Sequence, residues 1–301
     1  MVNWIFIRNF VVLNHLVMNK EYPTNLTEKQ WQILEKIVDP TNRKRKNPLR
    51  EIMNAILYLI KTGCQWRMLP KDFPPHDTVY YYFRKWKNKG IFEDIMDTLR
   101  EKVRLSMGRE ETPSLGILDS RSVKTSHHVD SDRGIDGNKK IKGRKQQTVV
   151  DTLGLPMAIA IHEANIHDSV GAESVVKVLA DRFPRLKKIL ADEGYRGEAL
   201  SDKVMKTLGC ELSIVLRPNE SSKKFSVIPK RWIVERSFAW IENFRRVALD
   251  YEFFSQSSLA MLQIAFSAIM LKNYSHKIKT DSHHLTTARI PPPSVSSPSI
   301  G

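Results

Sequence analysis

Three acidic side chains stand where an acid can do chemistry. Asp119 closes the apolar run Leu115-Gly-Ile-Leu, and Asp192 closes Lys188-Ile-Leu-Ala. Glu235 lies within Arg231-Trp-Ile-Val-Glu235-Arg-Ser-Phe-Ala-Trp-Ile-Glu242-Asn-Phe-Arg245-Arg246. Either aspartate alone reads as a cap or turn residue. Three carboxylates brought together repel one another and raise one another's pKa unless a divalent cation neutralises them. Oxygen-only ligands select Mg2+ or Mn2+ over zinc, and two such ions are the apparatus of in-line phosphodiester displacement. The combination is stronger evidence than any one member.

Elements must bring these acids together. The stretch carrying Glu235 has neither Gly nor Pro and predicts one helix over 231–246, opened by Pro229. Helical spacing puts Arg231, Glu235, Ala239, Glu242 and Arg246 on one stripe, with Val234, Phe238 and Ile241 on the apolar side. Two readings are open here. One is a pair of i,i+4 salt bridges, Arg231 with Glu235 and Glu242 with Arg246; the other makes Glu235 a metal ligand among arginines that hold a DNA backbone.

Charge narrows the partner. Among 301 residues, 48 are Lys or Arg and 33 are Asp or Glu, a formal net charge of +15 with a pI near 9.7. Such an excess points to a polyanion, with DNA or RNA ahead of a membrane surface, for which no amphipathic basic helix or lipidation motif is found. Cys64 and Cys210 are too few for a disulfide framework or zinc cluster and read as small buried side chains in a reducing cytosol. Residues 1–20 lack a basic n-region and a cleavage site, and are too short and interrupted to span a bilayer, so they read as a leader or upstream extension. Met18 is an alternative start.

Residues 21–112 are helical and basic. Helices are predicted over Glu28–Val38, capped by Thr27, over Leu49–Thr62, ended by Gly63, over Val79–Lys89 behind an Asp77-Thr78 cap, and over Phe92–Met107. The helix after Thr78 interleaves Tyr80, Tyr81, Tyr82, Phe83 and Trp86 with Arg84 and Lys85, and Arg43 and Arg45 belong to an earlier basic run. Helix, short turn and basic-aromatic helix suggest a helix-turn-helix-like DNA reader. After Pro113 the pattern turns to strands. Ser120–Asn138 reads as a polar loop and Lys139–Lys145, with Lys142, Arg144 and Lys145, as a surface run giving salt-dependent DNA affinity. A hairpin is predicted over Gln147–Thr152 and Pro156–His162, then helix Ser169–Ala180, the strand ending at Asp192, helix Ala199–Leu208, strand Glu211–Leu216 and helix Ser257–Tyr274. Residues 276–301 have the composition of a disordered tail. His127, His128, His162 and His167 match no usual zinc spacing. Lys124 is either a phosphate contact or a solvated lysine. No Gly-rich phosphate loop or dinucleotide fingerprint appears, so no nucleotide cofactor is expected.

Asp119-Ser-Arg-Ser-Val-Lys-Thr, Leu190-Ala-Asp192-Glu-Gly-Tyr and Trp232-Ile-Val-Glu235-Arg-Ser-Phe-Ala-Trp resemble the three catalytic blocks of the DDE transposases of bacterial insertion sequences, in particular the IS-five group of the IS-four superfamily. Leu49-Arg-Glu-Ile, Thr62-Gly-Cys-Gln-Trp-Arg-Met-Leu-Pro70 and Thr78-Val-Tyr-Tyr-Tyr-Phe83 are similar to that group's N-terminal region. The resemblance runs from about Met18 to Lys272. It implies an α/β fold in which a ribonuclease H-like catalytic core, a mixed sheet flanked by helices (113–275), follows an N-terminal helical DNA-binding domain (21–112). Asp119 and Asp192 would lie on adjacent strands and Glu235 on a later helix, together holding two Mg2+ or Mn2+ ions. Arg231, Arg236, Arg245 and Arg246 would touch DNA. Glu193 stands where relatives usually have Gly, so it competes with Asp192 for the ligand role. Ile228 and Glu242 occupy the Tyr and Lys positions of the family's extended signature, which leaves the handling of a terminal phosphate or DNA hairpin open.

The resemblance therefore implies a cytoplasmic, nucleoid-associated enzyme that binds the inverted repeats of an insertion sequence, cuts at its ends and joins the 3′-hydroxyl to target DNA. It would act as a homodimer or larger assembly, since each end needs an active site. Two rivals share the same residues: a metal-dependent nuclease of this fold without strand transfer, and a non-catalytic DNA-binding repressor derived from a transposase.

Overall fold

In the computed structural model, residues 21–41, 43–129, 132–215 and 230–287 are described, with side chains as far as 275. Met1–Lys20, Leu216, Ile228, Pro229 and residues 288–301, on which several expectations fall, lie outside them.

The N-terminal helices are α1 (Glu28–Val38), α2 (Leu49–Thr62), α3 (His76–Asn88) and α4 (Ile91–Ser106). Thr27 caps α1 in a reciprocal capping box with Gln30, as its spacing predicts. Gly63 ends α2 at φ +73, and a Cβ there would meet the Arg245 Cβ at 2.9 Å, so both conformation and close approach demand glycine. The cap of α3 differs from expectation. The helix begins at His76 behind Pro75, with no side-chain cap, and includes Asp77 and Thr78. Residues 63–75 between α2 and α3 contain a 3-10 turn at Trp66–Met68, so the link is far longer than the three- or four-residue turn of a helix-turn-helix.

The sheet comprises β1 (Leu115–Lys124), β2 (Gly134–Asp136), β3 (Ile141–Val150), β4 (Pro156–Glu163), β5 (Lys188–Ala191) and β6 (Glu211–Ile214). Its order is β2-β3-β1-β5-β6, with β4 also on β3. β1, β3 and β4 run antiparallel, while β1, β5 and β6 are parallel, so the sheet is mixed. Helices α5 (Asp168–Leu179) and α6 (Glu198–Leu208) supply the crossovers. Helices α7 (Trp232–Glu242), α8 (Arg245–Ala248) and α9 (Ser255–Thr287) complete the described chain. This is a ribonuclease H-like α/β core with an N-terminal helical region.

Three expectations fail here. Ser120–Asn138 is not one loop, because β1 continues to Lys124 and β2 forms within it. The single helix over 231–246 is broken at Asn243-Phe244, and the Asn243 side chain donates to the Ala239 and Trp240 carbonyls left open by the break. The last helix begins at Ser255 and runs to Thr287, well into the segment expected to be disordered.

Side chains alternate across β1, and each set has its own core. Ile117, with Val150, Leu155 and Ile159, joins one continuous apolar core that includes α1–α4, α7, α8 and α9. Leu118, with Val149, Ala158 and Ala160, packs against α5 and α6. The N-terminal helices therefore share their core with the sheet instead of standing apart from it, and α9 joins the two, packing on α4, α2 and β4. Asp119 has the same parity as Ile117, so it faces the side on which α7 lies.

Candidate active site

Strand register brings the two aspartates level. In the parallel β1–β5 pair, Ile117 lies opposite Leu190, and two residues further on Asp119 faces Asp192 just beyond the end of β5. Glu235 comes from the first turn of α7, which packs on β1. The guanidinium of Arg231 lies among all three acids: 2.6 Å from Glu235, 3.7 Å from Asp119 and 3.9 Å from Asp192. The two readings of the helix stripe are thus not exclusive. The Arg231–Glu235 pair forms, and it also faces both aspartates. The second expected pair does not form, because Arg246 bonds Glu252 and Glu242 stands 3.8 Å from Arg121.

Burial decides the electrostatics. Asp119 is pushed up to about 6, first by burial and also by the Asp192 carboxylate; the Ser120 amide, Arg231 and Lys139 pull the other way. Each aspartate also accepts a backbone N–H, from Ser120 at 2.7 Å and from Gly194 at 3.0 Å. Glu193 points elsewhere, 3.4 Å from exposed Arg196, so Asp192 is the acid that meets its fellows. Among the described residues, no three His, Cys, Asp or Glu side chains already stand as a metal-ligand group. The acids surround a cation of the chain's own. Their chemistry fits a hard divalent cation all the same, being all oxygen, mutually repulsive and only partly neutralised.

A second tier of residues is absent from the sequence-based expectation. Asp168, at the start of α5, accepts from the Ser120 hydroxyl at 2.8 Å and pairs with Lys145 at 3.0 Å. Tyr195, buried beside the acids, donates to Gln147 at 2.6 Å. Burial, and then the Asp119 charge, hold its phenol well above the usual range. Asp168 carried a weaker signal than Asp119 or Asp192, since residues 164–167 separate it from the end of β4.

The expected DNA contacts divide. Lys124, Lys142, Arg84, Lys85, Arg43 and Arg245 are exposed, as a phosphate contact requires. Arg45 is held by Asp39. Arg144, Lys145 and Arg246 are not available. Arg144 is fully buried, donating to the Asp250 carboxylate at 3.0 Å and to the carbonyls of Glu252 and Phe253. Lys145 is buried and also donates to the Ile166 carbonyl, and buried Arg246 is bound to Glu252. Arg236 stacks between Trp232 and Trp240 and donates to the Leu153 carbonyl, on the side of α7 away from the acids. A basic run signals solvent only when no buried acid waits elsewhere in the chain.

Of the histidines, His167 caps α5 through Ser169, and His162 Nδ1 lies 2.8 Å from the Glu163 carbonyl. No helix of the described residues is long and apolar enough to cross a membrane.

Comparisons with known proteins bear on this geometry. The family described as "Putative transposase of IS4/5 family" matches residues 26–96, and "Transposase DDE domain" matches residues 110–271. A "Putative transposase for insertion sequence element IS402" from Burkholderia cepacia is 27% identical over 117 residues, covering 36% of this chain and 54% of that protein. A 16.2 kDa protein of the same element and organism is 27% identical over 88 residues, covering 26% of this chain and 60% of that one. The chain thus spans a little over half the length of these curated relatives. Among solved structures, a piggyBac transposase synaptic complex with hairpin DNA aligns at TM-score 0.33 and 10% identity, covering 84% of this chain and 66% of that one. With the DDE-domain family spanning more than half of its residues, all three acids included, this chain belongs to the DDE transposases of insertion sequences.

Proposed function

We propose that this chain is the transposase of an insertion sequence, which binds the element's terminal inverted repeats, cleaves DNA at its ends and joins the freed 3′-hydroxyl to target DNA. One observation carries the reading: acids from three distant segments converge on the guanidinium of Arg231. Asp119, Asp192 and Glu235 are the residues that would hold Mg2+ or Mn2+, two ions per site; when bound, these supply activation of the attacking hydroxyl and neutralisation of the leaving oxygen. The chain's own residues do the rest. Arg231, released from the acids, offers its planar donors to a backbone phosphate. Exposed Lys124, Lys142, Arg245, Arg84, Lys85 and Arg43 supply affinity that falls with salt. The walls of the apolar core keep Asp119 largely out of water. No side chain is required as a nucleophile, so the reading includes no covalent protein–DNA intermediate, and two element ends imply at least a dimer on DNA.

The test is a pair of assays on the element's end sequences, identified as short inverted repeats flanking the gene. Asp192→Asn should abolish nicking while leaving DNA binding unchanged. Wild-type protein given pre-cut ends should join them to a target. Nicking without joining would make the protein a nuclease of this fold, and binding without either would make it a repressor.

A further inference from the structure

Far along β1 from Asp119, the loop between α8 and α9 presents two phenylalanines to solvent. Phe253 and Phe254 are 50% and 59% exposed and stack edge to face, ring centroids 5.0 Å apart. Apolar side chains scattered singly over a surface are ordinary, but two adjacent rings make one contiguous patch. Their mount is fixed from beneath. Fully buried Arg144 donates to the carbonyls of Glu252 and Phe253 and to the Asp250 carboxylate, and Asp250 bridges to Thr125 just past the end of β1. Glu252 is bound in turn by Arg246. Buried ion pairs thus hold the loop's backbone while its rings stay outside.

The surroundings select the partner. Exposed Lys124 ends β1, its carbonyl accepting from the Asp250 N–H, and exposed Lys142 in β3 lies beside it, its carbonyl accepting from the Thr125 N–H. From Asp119 to Lys124 the strand advances roughly 17 Å at about 3.3 Å per residue. At about 3.4 Å per nucleotide that is about five base steps. An apolar pair edged by cations suits a molecule with flat faces and a charged backbone. We propose that Phe253 and Phe254 form a stacking platform for an unpaired base of the DNA engaged at the acidic site. The platform rests on the transposase reading, and it adds recognition of single-stranded or distorted DNA to that reading. A second copy of this chain is the rival occupant, but +15 of net charge opposes apposing two such basic surfaces.

The experiment measures fluorescence anisotropy of full-length protein with a fluorescein-labelled 20-nucleotide oligo-thymidine and with a mixed-sequence duplex of equal length. Phe253→Ala/Phe254→Ala should weaken oligo-thymidine binding tenfold or more and leave duplex affinity within twofold. Unchanged duplex affinity also shows that the variant folds. Phe253→Tyr/Phe254→Tyr should bind oligo-thymidine as the wild type does, and Lys124→Ala/Lys142→Ala should weaken both DNAs and flatten their salt dependence. Equal oligo-thymidine affinity in wild type and double alanine variant overturns the platform alone. So does a wild-type dimer, by light scattering without DNA, that the double alanine variant converts to monomer. Failure of the wild type to bind either DNA overturns both this inference and the transposase reading.

Discussion

Replacing Arg231 with alanine tests the electrostatics of the acidic site most directly. Its guanidinium lies 3.7 and 3.9 Å from two mostly buried carboxylates and 2.6 Å from a half-exposed one. Unit charges about 4 Å apart interact by about 4 kcal/mol at an effective dielectric of about 20. Delocalisation of the guanidinium charge and the exposure of Glu235 reduce this, and measured exposed pairs are worth under about 1 kcal/mol. About 1–2 kcal/mol is then the net hold of Arg231 on the site, and an entering divalent cation must overcome it. Arg231→Ala should therefore tighten Mn2+ binding in the absence of DNA roughly 5- to 30-fold, at about 1.4 kcal/mol per decade. Titration followed by electron paramagnetic resonance of free Mn2+ reads this directly. The variant without cation should also melt below the wild type, three acids having lost their counter-ion, and the gap should close as Mg2+ is added. Mn2+ affinity that stays the same or falls would refute the reasoning; it would mean that Arg231 mainly holds Glu235 in place for the metal.

Two further outcomes are expected. Arg144→Met should destabilise the protein by about 3–5 kcal/mol in urea denaturation, because it leaves Asp250 buried without its counter-charge; a loss below about 1 kcal/mol would show that the loop is not held this way. In cation-free buffer, Asp119→Asn should be stabilising at pH 7.5 by roughly 2–3 kcal/mol and nearly neutral below about pH 4. The folded carboxyl sits at about 6, above the 3.8 of a free aspartate, so the wild-type fold binds that proton more tightly. Its contribution is present in acid and is lost as pH rises through about 6. Equal destabilisation by Asp119→Asn at both pH values would contradict the burial argument.

Much of the arrangement was readable from residue order. Short-range rules place α1 and its Thr27 cap, the span of α2 and its Gly63 stop, and the apolar strand segments that lead into Asp119 and Asp192. Each depends on side chains within a few positions of one another. Helical spacing marked Glu235 and its i,i+4 partner Arg231, and the resemblance joined the three acids into one catalytic set.

Tertiary structure decided what depends on distant partners. Arg144 and Lys145 look like solvated charge within a basic run, yet both are buried in β3, because Asp250 and Asp168, far off in sequence, neutralise them. The polar run after Asp119 gives no apolar signal for a strand, yet it is one, because β3 pairs with it through Lys124. The break at Asn243 carries neither Gly nor Pro to announce it. The sequence by itself determined which acids could serve together and that the chain carries a large excess of positive charge, since charge and local pattern are properties of the chain. Only the fold decided which cations remain at the surface, that Arg231 lies among all three acids, and that Phe253 and Phe254 are exposed. Burial and pairing belong to contacts between segments that no local spacing encodes.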